Sequence, residues 1–155
     1  PCSRLTRPLV WSMVTARPTS LEAVSASPVQ RRCHVNLCEL FMHHLQTVLL
    51  DTDRRPEYRG HPNILHGQCY VAAEVMYHWM PWYFHIHTMR VGGTVHWFLR
   101  SRTGKVYDPT AGQFDGPLDY SQGVRRGFLT KQPSKRAQAV MQRMTEQWQI
   151  GFGSR

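Results

Sequence analysis

Gly67-Gln68-Cys69-Tyr70-Val71-Ala72-Ala73-Glu74-Val75-Met76-Tyr77-His78-Trp79-Met80-Pro81 is the stretch on which the reading of this chain turns. From Gln68 to Met80 there is no helix breaker, and Val71, Ala72, Val75, Met76 and Trp79 fall at helical spacing. Tyr70, Ala73 and Tyr77 widen that stripe, and a helix apolar on most of its sides is a buried one. Gly67 precedes it and Pro81 cannot continue it. The pattern predicts a central buried helix with Cys69 in its first turn. Glu74 and His78, four residues apart, predict a polar pair inside it.

Downstream, the period changes from helical to strand-like. Tyr83 to Val91, Thr94 to Arg100 and Lys105 to Asp108 have strand character, divided by Gly92-Gly93 and by Ser101 to Gly104. Short spacers containing Gly predict antiparallel hairpins. After a polar, Gly-rich stretch from Ala111 to Gly127, Pro133-Ser134 opens a last helix with Ala137, Val140, Met141, Met144 and Trp148 on one face. Upstream, Asn36 and Glu39 have the form of a helix N-cap and its returning side chain, before Leu37, Leu40, Phe41, His44, Leu45 and Val48. This predicts a helix over about 36–50, followed by a loop from Asp51 to Pro62. The order is that of an α+β domain, a central helix packed on a small antiparallel sheet.

The whole chain bounds these readings. Its 155 residues suffice for one ordinary domain and not for two. Residues 1–32 hold four Pro and one acidic residue, Glu22, and predict an extended or disordered leader before a single domain over 33–150. The chain starts at Pro, without a long apolar run, so its beginning resembles neither a secretory signal nor an intact start. No stretch approaches the roughly 18 apolar residues of a spanning helix.

The four cysteines, Cys2, Cys33, Cys38 and Cys69, are too unevenly spaced to suggest a disulfide framework, and a reducing, cytoplasmic setting is expected. Cys33, His34, Cys38, His43 and His44 lie close together, yet no second pair of sulfur ligands follows at zinc-finger spacing, so neither metal nor cofactor is expected. A formal net charge of +9 predicts attraction to polyanions, or simply a solvated basic surface. Oligomeric state has no signature here.

A nucleophilic cysteine acts as its thiolate, which the unpaired N–H groups and dipole of a helix N-terminus favour, and Cys69 occupies that position. It also needs a base and a third group to fix the base's tautomer. A three-residue loop at Ser101 to Thr103, pairing Arg100 with Gly104, puts His96 directly opposite Asp108 with both side chains on one face. Taken singly, each residue has an ordinary structural explanation: a core cysteine, a strand histidine, an Asp-Pro-Thr turn. Their joint placement at a helix start and on two paired strands points to acyl-transfer chemistry.

Gly67-Gln68-Cys69-Tyr70, His96-Trp97 and Asp108-Pro109-Thr110 together resemble the transglutaminase-like branch of the papain-like cysteine enzymes. That family has Gly-Gln-Cys-Trp around its nucleophile, His closely followed by Trp, and Asp-Pro-Thr after a Gly-containing hairpin. The resemblance covers about residues 60–112, in the family's order. It implies a papain-like α+β core with Cys69, His96 and Asp108 as catalytic residues. Tyr70 stands where the family has Trp, Trp97 follows His96 immediately, and the flanking β-domains and calcium sites of animal members have no counterpart. Residues 127–137 are also similar to small proteins of bacteriophages and bacteria.

The expected chemistry is attack of the Cys69 thiolate on an amide carbonyl of a peptide, protein or small amide, giving an acyl-enzyme released to water or to an amine. The oxyanion would be held by the Cys69 N–H and one of Gln68, Asn63 or Trp97. His66, His85 and His87 are further histidines near the site, the last two sharing a strand face with Met89. In a different class, the same fold without catalysis would bind nucleic acid through Arg125, Arg126, Lys131, Lys135 and Arg136, with Trp82, Tyr83 or Phe128 stacking on bases.

Overall fold

The computed structural model describes residues 28–128 and 130–152. Helix α1 spans Pro28–Val48, α2 Cys69–Trp79 and α3 Lys135–Phe152. Strands β1 (Phe84–Val91), β2 (Thr94–Ser101), β3 (Val106–Tyr107) and β4 (Val124–Arg125) form one antiparallel sheet in the order β3-β2-β1-β4. The fold is therefore α+β. No helix among the described residues is long and apolar enough to cross a membrane.

The central helix is buried as its composition requires. Val71 through Met76 have no exposure at all, because α2 packs on β1 and β2 on one side and on α1 and α3 on the other. Val71, Ala72, Val75 and Met76 share a core with Ile86 and Leu99 of the sheet and with Val140 and Met144 of α3. Phe41, Trp79 and Trp148 close the far end of this core with edge-to-face contacts between 5.1 and 6.1 Å.

Three expectations need correction. α1 begins at Pro28, inside the predicted leader, with Pro in a first turn whose N–H groups have no helical partner to lose; residues 1–27 lie outside the described residues. Asn36 is consequently interior to the helix, so the expected N-cap there does not exist. The buried face of α1 is Cys38, Phe41, Leu45 and Val48, with Leu49 buried just after it, while Leu37 and Leu40 are exposed. Cys38, one of the residues of the unlikely zinc cluster, is thus a core residue beside Tyr107, and burial pushes its thiol pKa up.

Glu74 and His78 do not pair. Both oxygens of Glu74 accept from Ser134, Oε1 from its N–H at 2.8 Å and Oε2 from its hydroxyl at 2.6 Å. Ser134 is in turn the N-cap of α3, its Oγ accepting from the Ala137 N–H at 3.2 Å. A carboxyl group in the middle of one helix thus anchors the start of another. Glu74→Ala leaves the half-buried Ser134 donors without acceptors and a cavity at a fully buried position, and is expected to lower stability by about 3 kcal/mol, read from the urea midpoint. A loss below about 0.5 kcal/mol would show the anchor to be dispensable.

The hairpin between β2 and β3 is longer than expected. Leu99 pairs with Tyr107 and Arg100 with Val106, and the turn closes through Ser101 N–H to the Lys105 carbonyl at 2.8 Å. Continued one step, this register puts Phe98, not His96, level with Asp108. The displacement is two residues, so Asp108 stays on the face that carries His96 and reaches it diagonally.

Candidate functional site

β3 pairs only with Leu99 and Arg100, so the first half of β2 borders β1 on one side and, among the described residues, has no strand partner on the other. Along that edge runs a cleft of about 500 Å³, lined by Thr94 to Trp97 of β2 and by Gly67, Cys69 and Tyr70 at the start of α2. The approach to Cys69 is tight. Gly67 has φ +74°, and a Cβ there would stand 2.6 Å from the Tyr58 side chain, so only glycine lets the chain enter the helix under that ring.

Cys69 and His96 both line this cleft, and the Asp108 carboxylate is bonded to His96 without lining it. His96 is 1% exposed and its Nε2 donates to Asp108 Oδ2 at 2.6 Å, which leaves Nδ1 on the side of the thiol. The Cys69 Sγ lies 3.9 Å from the Val95 carbonyl, and as the first residue of α2 its own N–H has no intrahelical acceptor. Burial opposes charge on His96, but its hydrogen bonds to Asp108 and Cys69 and the negative potential of those groups outweigh it, and the pKa is held up at about 9. The imidazole is therefore cationic at neutral pH.

Asp108 is fixed by more than the histidine. Its Oδ1 accepts from the Thr110 N–H at 2.9 Å and the Thr110 hydroxyl at 3.2 Å, and its Oδ2 accepts also from the Tyr120 hydroxyl at 2.8 Å. The next residue is tied down from α1, where Gln46 Nε2 donates to the Pro109 carbonyl at 2.8 Å. Tyr120 is held neutral, first by burial and then by the charge of Asp108, which raise its pKa. Phe114 covers the imidazole edge-on at 4.9 Å and Tyr120 covers Phe98 at 5.0 Å, so the segment after β3 encloses this face of the sheet.

Of the three expected oxyanion donors, only Trp97 lines the cleft. Gln68 is wholly buried and its Nε2 donates to the Leu50 carbonyl at 2.8 Å, because the chain turning into α2 points this side chain into the core. Asn63 ties its loop to the segment after β3, donating to the Gly112 carbonyl at 2.8 Å and accepting from the Leu65 N–H at 3.0 Å. Gln113, which sequence reasoning missed, does line the cleft. Its Oε1 accepts from the Gly67 N–H at 3.4 Å, and its Nε2 donates to the Thr110 carbonyl at 3.1 Å and lies 3.4 Å from His96 Nδ1.

The remaining histidines are distributed by packing. His66 lines the cleft, and burial first, then His61 and Arg54, lower its pKa. His85 Nδ1 accepts from Arg125 at 3.0 Å, and His87 lies against Phe98 with its pKa lowered by burial. No family model, curated protein or solved structure matches this chain. The five cations expected of a nucleic-acid surface do not share one element. Arg125 and Arg126 flank the end of the edge strand β4, Lys131 and Lys135 are exposed around the start of α3, and Arg136 enters the cleft beside Cys69. Of the expected stacking rings, Phe128 packs on Tyr70 and Trp97, Tyr83 packs on Phe84, and only Trp82 is fully exposed.

Proposed function

We propose that this chain is a cysteine-dependent acyl-transfer enzyme of the papain-like, transglutaminase-like kind, acting in a reducing compartment, with Cys69 as nucleophile, His96 as general base and Asp108 as the group that orients the imidazole. The observation that carries the reading is the direction of the His96 ring. Its Nε2 is committed to a buried carboxylate whose other acceptor positions are filled, so only Nδ1 is left to exchange a proton with the thiol at the helix start.

In this mechanism His96 holds at Nδ1 the proton that Cys69 has given up, and the thiolate attacks an amide carbonyl carbon. The carbonyl oxygen becomes an oxyanion that the Cys69 N–H receives, with Trp97 or Gln113 as the second donor at the cleft wall. Collapse of the tetrahedral intermediate breaks the C–N bond, and His96 returns its proton to the departing amine. The thioester that remains is opened by water, giving hydrolysis or deamidation, or by a second amine, giving transamidation. Asp108 keeps the ring in place throughout and stabilises its cation.

Alkylation tests this directly. At pH 6, where an ordinary thiol is almost wholly protonated, Cys69 is expected to react with iodoacetamide at least ten times faster than N-acetylcysteine, followed by mass spectrometry of the modified peptide. Cys69→Ala is expected to abolish release of amine from amide and peptide substrates while leaving the far-UV circular dichroism unchanged. A Cys69 that reacts no faster than the free amino acid derivative, or a Cys69→Ala protein that still turns over, would end this reading.

A further inference from the structure

The cleft does not stop at the thiol. A second cavity of about 360 Å³, reaching Thr130, Gln132 and Ser134, shares Arg55, Tyr70 and Arg136 with the first. Those two arginines therefore stand where the cavities join, on the path of any substrate that extends from Cys69 toward the start of α3. Among the described residues, no aspartate or glutamate lines either cavity. The acidic groups nearby are engaged elsewhere or weakly: the Asp53 carboxylate accepts from Arg143 and from the Leu50 N–H, and both Glu74 oxygens accept from Ser134. Glu57 lies 3.9 Å from Arg55 in an exposed pair of the kind that contributes little. Arg136 spends one N–H on the Asp53 main-chain carbonyl at 3.1 Å, a neutral partner that holds the guanidinium without cancelling its charge.

Two guanidinium groups at a junction, with only the weakly paired Glu57 as an acidic neighbour and with aromatic walls beside them, form a receptor for an oxyanion group. We infer that the acyl donor carries a carboxylate or phosphate group on the side of its reacting carbonyl that lies toward α3, and that Arg55 and Arg136 bind it. This rests on the acyl-transfer reading and specifies its substrate: an acidic amide or peptide, or a phosphorylated acyl compound, is taken in preference to a neutral one of the same shape. The arginines bind the substrate away from the reacting atoms, so their loss acts on substrate capture more than on the thiol.

A pair of alkylating reagents separates the two readings. Iodoacetate and iodoacetamide each form one C–S bond with the thiolate as the C–I bond breaks and iodide departs, and they differ chiefly in that iodoacetate carries a negative charge. In the native chain the ratio of the iodoacetate rate to the iodoacetamide rate at Cys69 is expected to exceed that of N-acetylcysteine by about tenfold, part of it owed to cationic His96. Arg55→Gln and Arg136→Gln are each expected to lower that ratio about threefold, and the double variant to remove the part that His96 does not supply. Arg136→Lys, which keeps a donor for the Asp53 carbonyl and a positive charge, is expected to retain most of the ratio and guards against a folding artefact.

Protection identifies the anion. Inorganic phosphate and glutarate, tested separately, are expected to slow iodoacetamide alkylation of the native chain and not of the double variant, and the better protector names the source of the oxyanion. A ratio that is the same in the native chain and the double variant overturns the oxyanion site while leaving Cys69 reactive. Failure of Cys69 to react with iodoacetamide in every variant overturns the acyl-transfer reading itself, and this inference with it.

Discussion

Asp108→Asn is expected to reduce acyl transfer by about 10³- to 10⁴-fold, measured as hydrolysis of an activated aryl ester, with the fold retained at neutral pH. The carboxylate of Asp108 is the acceptor for His96 Nε2 and the nearest negative charge to a buried imidazole. An amide in its place presents an N–H as readily as a carbonyl, so the ring loses both its fixed tautomer and the potential that keeps it cationic. The same substitution has a thermodynamic signature. The folded-state pKa of His96 is raised to about 9, above the ordinary 6.5, so its protonation stabilises the folded state. That contribution is fully present below about pH 6.5 and is lost as the pH rises through about 9. With a shift of this size it is on the order of 3 kcal/mol. The stability difference between native chain and Asp108→Asn should be widest near pH 6 and close above pH 9, followed by urea denaturation across that range. A difference that does not vary with pH, or a variant within tenfold of native activity, would remove Asp108 from the assigned role.

Arg54→Met is expected to cost about 3–5 kcal/mol and to lower Tm by about 10 °C or more. Arg54 is 1% exposed and gathers the loop before α2 around its guanidinium. Nη1 donates to Asp51 Oδ1 at 2.7 Å and to the carbonyls of Tyr58 and His61 at 3.2 and 2.9 Å, and Nη2 donates to the Asn63 carbonyl at 2.5 Å. Methionine fills much of the space but leaves three carbonyls without their donor. Tyr58, whose ring lies over Gly67, and His66 both belong to this loop and line the cleft. Amide hydrogen exchange is therefore expected to quicken over residues 55–66 far more than in α2 or α3. Arg54→Lys should rescue little, since an ammonium group cannot reach that fan of acceptors with a planar fork. A loss below 1 kcal/mol, or exchange that rises evenly across the chain, would contradict the hub role.

These two residues also mark the boundary of what could be read from sequence alone. The burial of α2 was legible because the stretch from Val71 to Met76 leaves no polar face except at Glu74, and no packing arrangement exposes such a helix cheaply. The shared face of His96 and Asp108 was legible for a different reason: side chains alternate along a strand, so a register wrong by two residues still assigns the right side. Loop length itself was not, because Ser101 to Lys105 closes through contacts that no residue pattern in that segment announces. On α1, Leu37 and Leu40 were expected on the apolar face with Phe41, Leu45 and Val48, but Cys38 is buried there instead, since a leucine-rich helix offers more than one stripe and its neighbours choose between them. Arg54, Tyr120 and Gln113 escaped notice because their roles arise from irregular backbone. Only Asp119, whose Oδ1 accepts from the Ser121 N–H at 3.0 Å and so starts the turn that aims Tyr120, left a trace in local turn chemistry.

The dependence of Asp108 on Tyr120 and of α2 on Ser134 bears on how the molecule comes into being. A growing polypeptide released only as far as Pro109 already contains the sulfur, the ring and the acid, yet the Tyr120 brace waits for about 11 further residues and the Ser134 brace for about 25. Synthesis thus imposes an interval in which every reactive group has been made and none is yet held in place.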